Sequence, residues 1–157
     1  YFDIFTNAAV YPYATWNSAN FTLDISGSAI TCAWAGAGAD AGMGGFFFGA
    51  GTDGTDGAQT FVQTDASAYT GGELVFDIIT NKSDLIIKLE WTAGGNVTKP
   101  LSQLLPGIVT NGTTVNEVRW NLASSGANLS AMNMVFGIFN ITGSSAASVT
   151  IDNIRYE

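Results

Sequence analysis

The side chains best suited to chemistry in this chain are aromatic rings and a few spaced polar groups, not the residues of ordinary catalysis. Trp16 lies with Tyr13 in YPYATWNSAN, which reads as an irregular stretch, and Trp34 sits where AITCAWA opens into a glycine-rich run. An indole or phenol ring offers an apolar face for the C–H face of a sugar ring and keeps a polar tip for water. Tyr13, Trp16 and Trp34 are therefore the candidate stacking platform. Trp91 and Trp120 fall in the inward phase of their strands and read as core.

A second set comes from alternation along extended segments, in which successive side chains point to opposite faces. In LIIKLEW, Leu85, Ile87, Leu89 and Trp91 take the core phase, leaving Ile86, Lys88 and Glu90 outside. In VRWNL the outward residues are Arg119 and Asn121, and in VFDII the outward residue is Asp77. If these strands share a sheet, Asp77, Lys88, Glu90, Arg119 and Asn121 form one polar stripe able to hydrogen-bond vicinal hydroxyls. The same stripe is equally readable as a solvated ladder of cross-strand ion pairs.

Catalytic alternatives are poorly supplied. The chain has no His, which excludes Ser-His and Cys-His nucleophile systems and His-ligated zinc. Its single cysteine, Cys32, stands among small apolar residues and reads as a buried hydrophobe, without a disulfide framework. What remains is a carboxylate pair of the glycosidase kind. Among the 13 acids, only Asp77 and Glu90 stand in apolar strands, and both have basic neighbours in the stripe. A cation on loop oxygens is a further option, with Asp53 and Asp56 of TDGTDG close together, although two tight turns explain that motif as well.

Composition narrows the partners. A net charge of -8 with only five basic residues argues against nucleic acid, whose phosphates require clustered Lys and Arg, and against anionic membranes. No run approaches the roughly 18 apolar residues of a membrane span. Charged residues make up 11% of the chain and hydrophobic ones 46%, with Gly, Ser, Thr and Asn supplying much of the rest. Such a surface suits a secreted protein facing neutral, hydroxylated ligands.

The elements that position these residues are short β-branched and aromatic runs bounded by Gly, Asn, Asp or Ser. Strands are predicted over Phe2 to Thr6, Phe21 to Ser26, Ala29 to Trp34, Leu74 to Thr80, Leu85 to Trp91, Asn116 to Leu122, Met134 to Ile141 and Val149 to Tyr156, with a short one at Phe46 to Phe48. SGS around Gly27 and NKSD after Thr80 read as hairpin turns. The segment from Ala35 to Thr60 is too glycine-rich for regular structure throughout and reads as a long surface excursion. That many strands in 157 residues predict one all-β domain over 1–157, a two-sheet antiparallel sandwich.

The stretches GGELVFDIITNKSDLIIKLEW, NEVRWNL and ANLSAMNMVFGIF, with the closing ASVTIDNIRYE, resemble the jelly-roll carbohydrate-binding modules that accompany bacterial polysaccharide-degrading enzymes. The likeness is to the galactose-binding-like type, and to the C-terminal module of marine exo-β-glucanases. It implies a jelly roll that binds an extracellular polysaccharide, a β-glucan or marine algal glycan, and is appended to or partnered with a glycoside hydrolase or lyase. It also implies a structural Ca²⁺ held by an acid of the opening strand and the Asp of the last, here Asp3 and Asp152. Two other readings compete: an adhesive cell-surface sandwich, marked by an exposed apolar patch, and a small hydrolase or lyase working through carboxylates.

Overall fold

Alternating apolar residues on short strands can be buried only by a second layer, and this chain supplies it with a second sheet. A computed structural model describes residues 1–6, 9–36, 42–49, 63–142 and 145–157. The strands are β1 (Phe2–Thr6), β2 (Ala9–Val10), β3 (Tyr13–Trp16), β4 (Phe21–Asp24), β5 (Ile30–Trp34), β6 (Gly44–Phe48), β7 (Glu73–Thr80), β8 (Ile86–Trp91), β9 (Gly95–Pro100), β10 (Asn116–Asn121), β11 (Met132–Asn140) and β12 (Ala147–Tyr156). One helical turn, α1 (Leu101–Leu104), follows β9.

Every strand pairing is antiparallel. The first sheet runs β10-β7-β12 and then divides along the long β12. The N-terminal half of β12 pairs with β5, which carries β4, and its C-terminal half pairs with β1, which carries β2. The second sheet runs β3-β6-β11-β8-β9. The result is an all-β jelly-roll sandwich with almost no helix, in keeping with the fold class read from the sequence.

The core between the sheets is aromatic. Trp34, Phe76, Trp120 and Tyr156 of the first sheet meet Phe46, Phe48, Phe136 and Ile138 of the second, all at most 2% exposed. Phe76 and Phe136 touch edge to face at 5.2 Å, the geometry that the ring quadrupole prefers. The Tyr156 hydroxyl donates to the Val135 carbonyl at 2.7 Å, so a hydrogen bond also joins the layers, and burial pushes its phenol far above the ordinary range. Cys32 is buried as expected, and burial likewise pushes its thiol far up.

Two expectations change. The NKSD turn does not close a hairpin: β7 lies in the first sheet and β8 in the second, so the chain crosses between layers there. Both edges of β7 are taken by β10 and β12, and both edges of β8 by β11 and β9. Thr80 hydrogen-bonds the backbone of Lys82 and shapes a corner instead of a hairpin. The stretch around Trp16, read as irregular, contains β3, and the polar GNVTKP forms β9 at the edge of the second sheet. Of the glycine-rich excursion, residues 37–41 and 50–62, including Asp53 and Asp56, lie outside the described residues.

Phe76→Ala removes one half of the inter-sheet contact and is expected to cost about 3–5 kcal/mol. The check is the urea midpoint of the variant against the parent; an unchanged midpoint would show that the sandwich does not rest on this contact.

Candidate functional site

The second sheet has two apolar faces. On β6, Phe46 and Phe48 enter the core, so Phe47 points the other way; on β11, Phe136 and Ile138 enter the core, so Phe139 points out. With Ala14 and Met134 these rings form a separate small cluster on the outer face. Phe47 and Phe139 lie 6.2 Å apart, and Trp16 stands 6.1 Å from Phe139, tilted by 60°. Trp16 is 41% exposed, whereas Phe47, Phe139 and Met134 are nearly covered, so Trp16 is the ring offered to solvent above an apolar floor.

Register fixes what stands opposite. Ladder pairs align Trp16, Gly45, Phe139 and Ile86 in one row across the sheet, Ala14, Phe47, Gly137, Lys88 and Thr98 in the next, and Met134, Glu90 and Asn96 in the third. Apart from Ile86 on β8, the apolar side chains of these rows therefore occupy β3, β6 and β11, and the polar ones β8 and β9. Together with Ile141 and Thr15 they line a groove of about 580 Å³.

Glycine hollows the floor. A Cβ on Gly137 would lie 2.6 Å from the Met134 sulfur and 2.7 Å from the Phe139 ring, and one on Gly45 would lie 2.1 Å from the Ile138 carbonyl oxygen. Neighbouring side chains occupy the space that these residues leave empty.

On the polar wall, Lys88 and Glu90 alternate outward on one strand and pair at 2.7 Å. Both are partly withdrawn from water, with 27% and 22% of their side chains exposed. Asn96 and Thr98 extend this wall on β9. It offers donors and acceptors together, with no net charge from the ion pair.

Of the residues singled out from the sequence, Trp16, Lys88 and Glu90 come together here. The others do not. Trp34 is 2% exposed, packs on Phe21 and donates its indole N–H to the Gly44 carbonyl at 2.9 Å. It is a core residue, because the inward phase of β5 carries Ile30, Cys32 and Trp34 together. Tyr13 lies one residue out of phase with Ala14 and packs against the main core beside Phe48.

Asp77, Arg119 and Asn121 do point outward, but from the first sheet, so the single polar stripe is split between opposite sides of the sandwich. Arg119 binds Glu73, Glu117 and Glu157 at 2.9, 2.7 and 2.6 Å. The Asn121 carboxamide oxygen accepts from the Ser124 N–H, and Asp77 accepts from the Asn153 carboxamide. These are the cross-strand ladder and turn contacts of a solvated face.

The acids that the resemblance assigns to Ca²⁺, Asp3 and Asp152, lie on β1 and β12. Register sets Asp3 opposite Arg155 and Asp152 opposite Asp77, on different edges of β12. Among the described residues, no group of three or more His, Cys, Asp or Glu is placed to hold a metal ion.

Phe47, Phe139, Met134, Asn96 and Thr98 were not singled out from the sequence. For Phe47 and Phe139 the signal was an apolar residue in the outward phase two positions from a glycine, in GGFFFG and GIF; Met134 shares the inward parity of Phe136 and Ile138 and joins the outer cluster only across the register shift between Met134 and Gly137.

With this geometry in hand, the chain can be set beside known proteins. No family model and no curated protein matches its sequence. Solved structures do match. A family 30 carbohydrate-binding module aligns over 97% of this chain and 84% of its own, at 14% identity and a TM-score of 0.65. The family 30 module of a cellulosomal cellulase of Clostridium thermocellum aligns over 97% and 94%, at 14% identity and 0.62. An exo-β-agarase aligns over 99% of this chain at 12% identity and 0.66, and this chain spans only 25% of that protein. The fold is a jelly-roll β-sandwich shared with these carbohydrate-binding modules and with part of the agarase.

Two predictions follow from these surfaces. Gly137→Ala pushes Met134 and Phe139 upward and is expected to cost about 1–3 kcal/mol through overpacking; thermal unfolding of the variant checks it, and unchanged stability would mean that the floor yields freely. The hydrogen bond from Arg119 holds the Glu117 and Glu157 carboxyls below their usual values. A depressed carboxyl pKa contributes stability above the unfolded value of about 4.3, and that contribution is lost as pH falls through the folded value. Arg119→Gln is therefore expected to lower the melting temperature at pH 7 and to converge with the parent near pH 3; a constant gap across that range would refute the linkage.

Proposed function

We propose that this domain is a non-catalytic module that binds a neutral extracellular polysaccharide along the groove of the second sheet. One observation carries the reading: the groove is divided lengthwise, with an exposed indole over an apolar floor on β3, β6 and β11, and paired donors and acceptors on β8 and β9. A sugar ring is divided the same way, with C–H groups on its face and hydroxyls around its edge. Trp16 is the stacking platform, and Lys88, Glu90, Asn96 and Thr98 receive the hydroxyls. The absence of net charge on the polar wall suits a neutral ligand.

The matched structures, which are carbohydrate-binding modules and agarases, support this reading. Agarases in which this fold makes up about a quarter of the chain support a role as one module of a larger secreted enzyme, holding it on an insoluble β-glucan or algal galactan. Tethering raises the local concentration of substrate around an attached catalytic domain. Hydrolysis within the groove is disfavoured, because Glu90 is the one acid among the described residues that line it and two carboxylates are needed. One stacking ring and a few hydrogen bonds, set against the ordering of a glycan chain, suggest a dissociation constant on the order of micromolar to millimolar.

The test is affinity electrophoresis of the chain through gels containing agarose, lichenan, xylan or mannan. Retention by at least one polymer is expected, and Trp16→Ala should weaken it roughly tenfold, about 1.4 kcal/mol. Arg119→Gln, on the opposite sheet, should be retained like the parent. No retention by any polymer, or full retention of Trp16→Ala, would overturn the reading.

A further inference from the structure

We propose that the Lys88–Glu90 pair makes the groove selective by charge, admitting neutral glycans and refusing those that carry carboxylate or sulfate groups. This rests on the glycan-binding reading above and goes beyond it, to what the groove excludes.

The argument begins with the basic residues, of which the chain has five. Each is already engaged. Lys82 bonds the side chains of Asn140 and Thr142 and stands 3.6 Å from Asp84. Lys99 lies over the Trp120 ring at 5.7 Å. Arg119 holds three glutamates, and Arg155 pairs with Glu157 at 3.1 Å while its guanidinium lies over the Tyr1 ring.

Lys88 is the one cation that lines the groove, and Glu90 sits 2.7 Å from it. An acidic glycan gains a counter-ion there only by displacing Glu90, which leaves that carboxylate beside the incoming anion on a partly desolvated wall. The chain's net charge of -8 adds a repulsive background. A neutral hydroxyl faces no such conflict, since the ammonium can donate to it while the carboxylate accepts from it.

The pair is therefore more than a surface ion pair. Unpaired, Lys88 would be an attractive site for any polyanion, and Glu90 cancels that attraction without removing the ammonium's hydrogen-bonding capacity. Carboxylated and sulfated chains are the polymers this arrangement sorts away.

The test uses the full chain and two derivatives of each retaining polymer, one hydroxyethylated and one carboxymethylated, so that bulk is matched and only charge differs. The parent should prefer the neutral derivative. Glu90→Gln, which keeps an amide at that position but frees the ammonium, should raise relative affinity for the charged derivative roughly tenfold at low salt. That gain should largely vanish near 1 M salt, where the screening length is about 3 Å. Lys88→Gln should shift the ratio the other way.

Equal binding of both derivatives by the parent, or an unchanged ratio in Glu90→Gln, would overturn the charge filter while leaving glycan binding intact if Trp16→Ala still weakens retention on the neutral polymer. If the parent is retained by no polymer, the glycan-binding reading fails first and the filter falls with it.

Discussion

Apolar side chains on both faces of the second sheet are the constraint from which the rest of the molecule follows. β6 and β11 place Phe46, Phe48, Phe136 and Ile138 on one side and Phe47, Phe139 and Met134 on the other. The first side is sealed by the opposing sheet, where Phe76 meets Phe136 and Tyr156 bonds across to Val135. Among the described residues, no opposing sheet covers the second side. Its rings are packed against one another and against glycine positions, leaving Trp16 above a covered floor.

The two outer faces put the same few charges to different uses. On the first sheet, Arg119 gathers three glutamates on a solvated surface, where such contacts add little to stability. On the second, Lys88 and Glu90 share a wall with Asn96 and Thr98 above the apolar floor. There the pair controls the character of a groove more than the stability of the fold. The difference comes from what lies beside each pair, since both are ordinary contacts between basic and acidic side chains.

Low identity to the matched modules fits this division. A two-layer framework demands only apolar alternation at the right spacing, which many sequences meet, and so 12–14% identity accompanies alignment over nearly the whole chain. Register fixes which positions of β3, β6, β11, β8 and β9 face the groove, and the side chains at those positions give it its character. Fold and site are thus specified by different residues of the same strands.

Alternation alone was enough to locate most strands and to orient their side chains. Asp77, Lys88, Glu90, Arg119 and Asn121 all point outward, and Val118, Trp120, Leu85, Ile87 and Leu89 all point into the core, as local period-2 patterning requires. It could not say which outward residues share a surface, since sheet membership depends on hydrogen bonds between strands distant in the chain. NKSD marks a reversal equally well whether the next strand pairs with the last or crosses to the other layer. The tryptophans divide for the same reason: Trp34 follows the inward phase of β5 into the core, while Trp16 is exposed by β3, a four-residue strand held in place by its pairing with β6. The sequence by itself determined the β class, the phase of each strand and the scarcity of cationic and catalytic groups. Tertiary structure decided that Trp16, Lys88 and Glu90 meet over Phe47 and Phe139, because only the register of β3, β6, β11, β8 and β9 brings those positions into one groove.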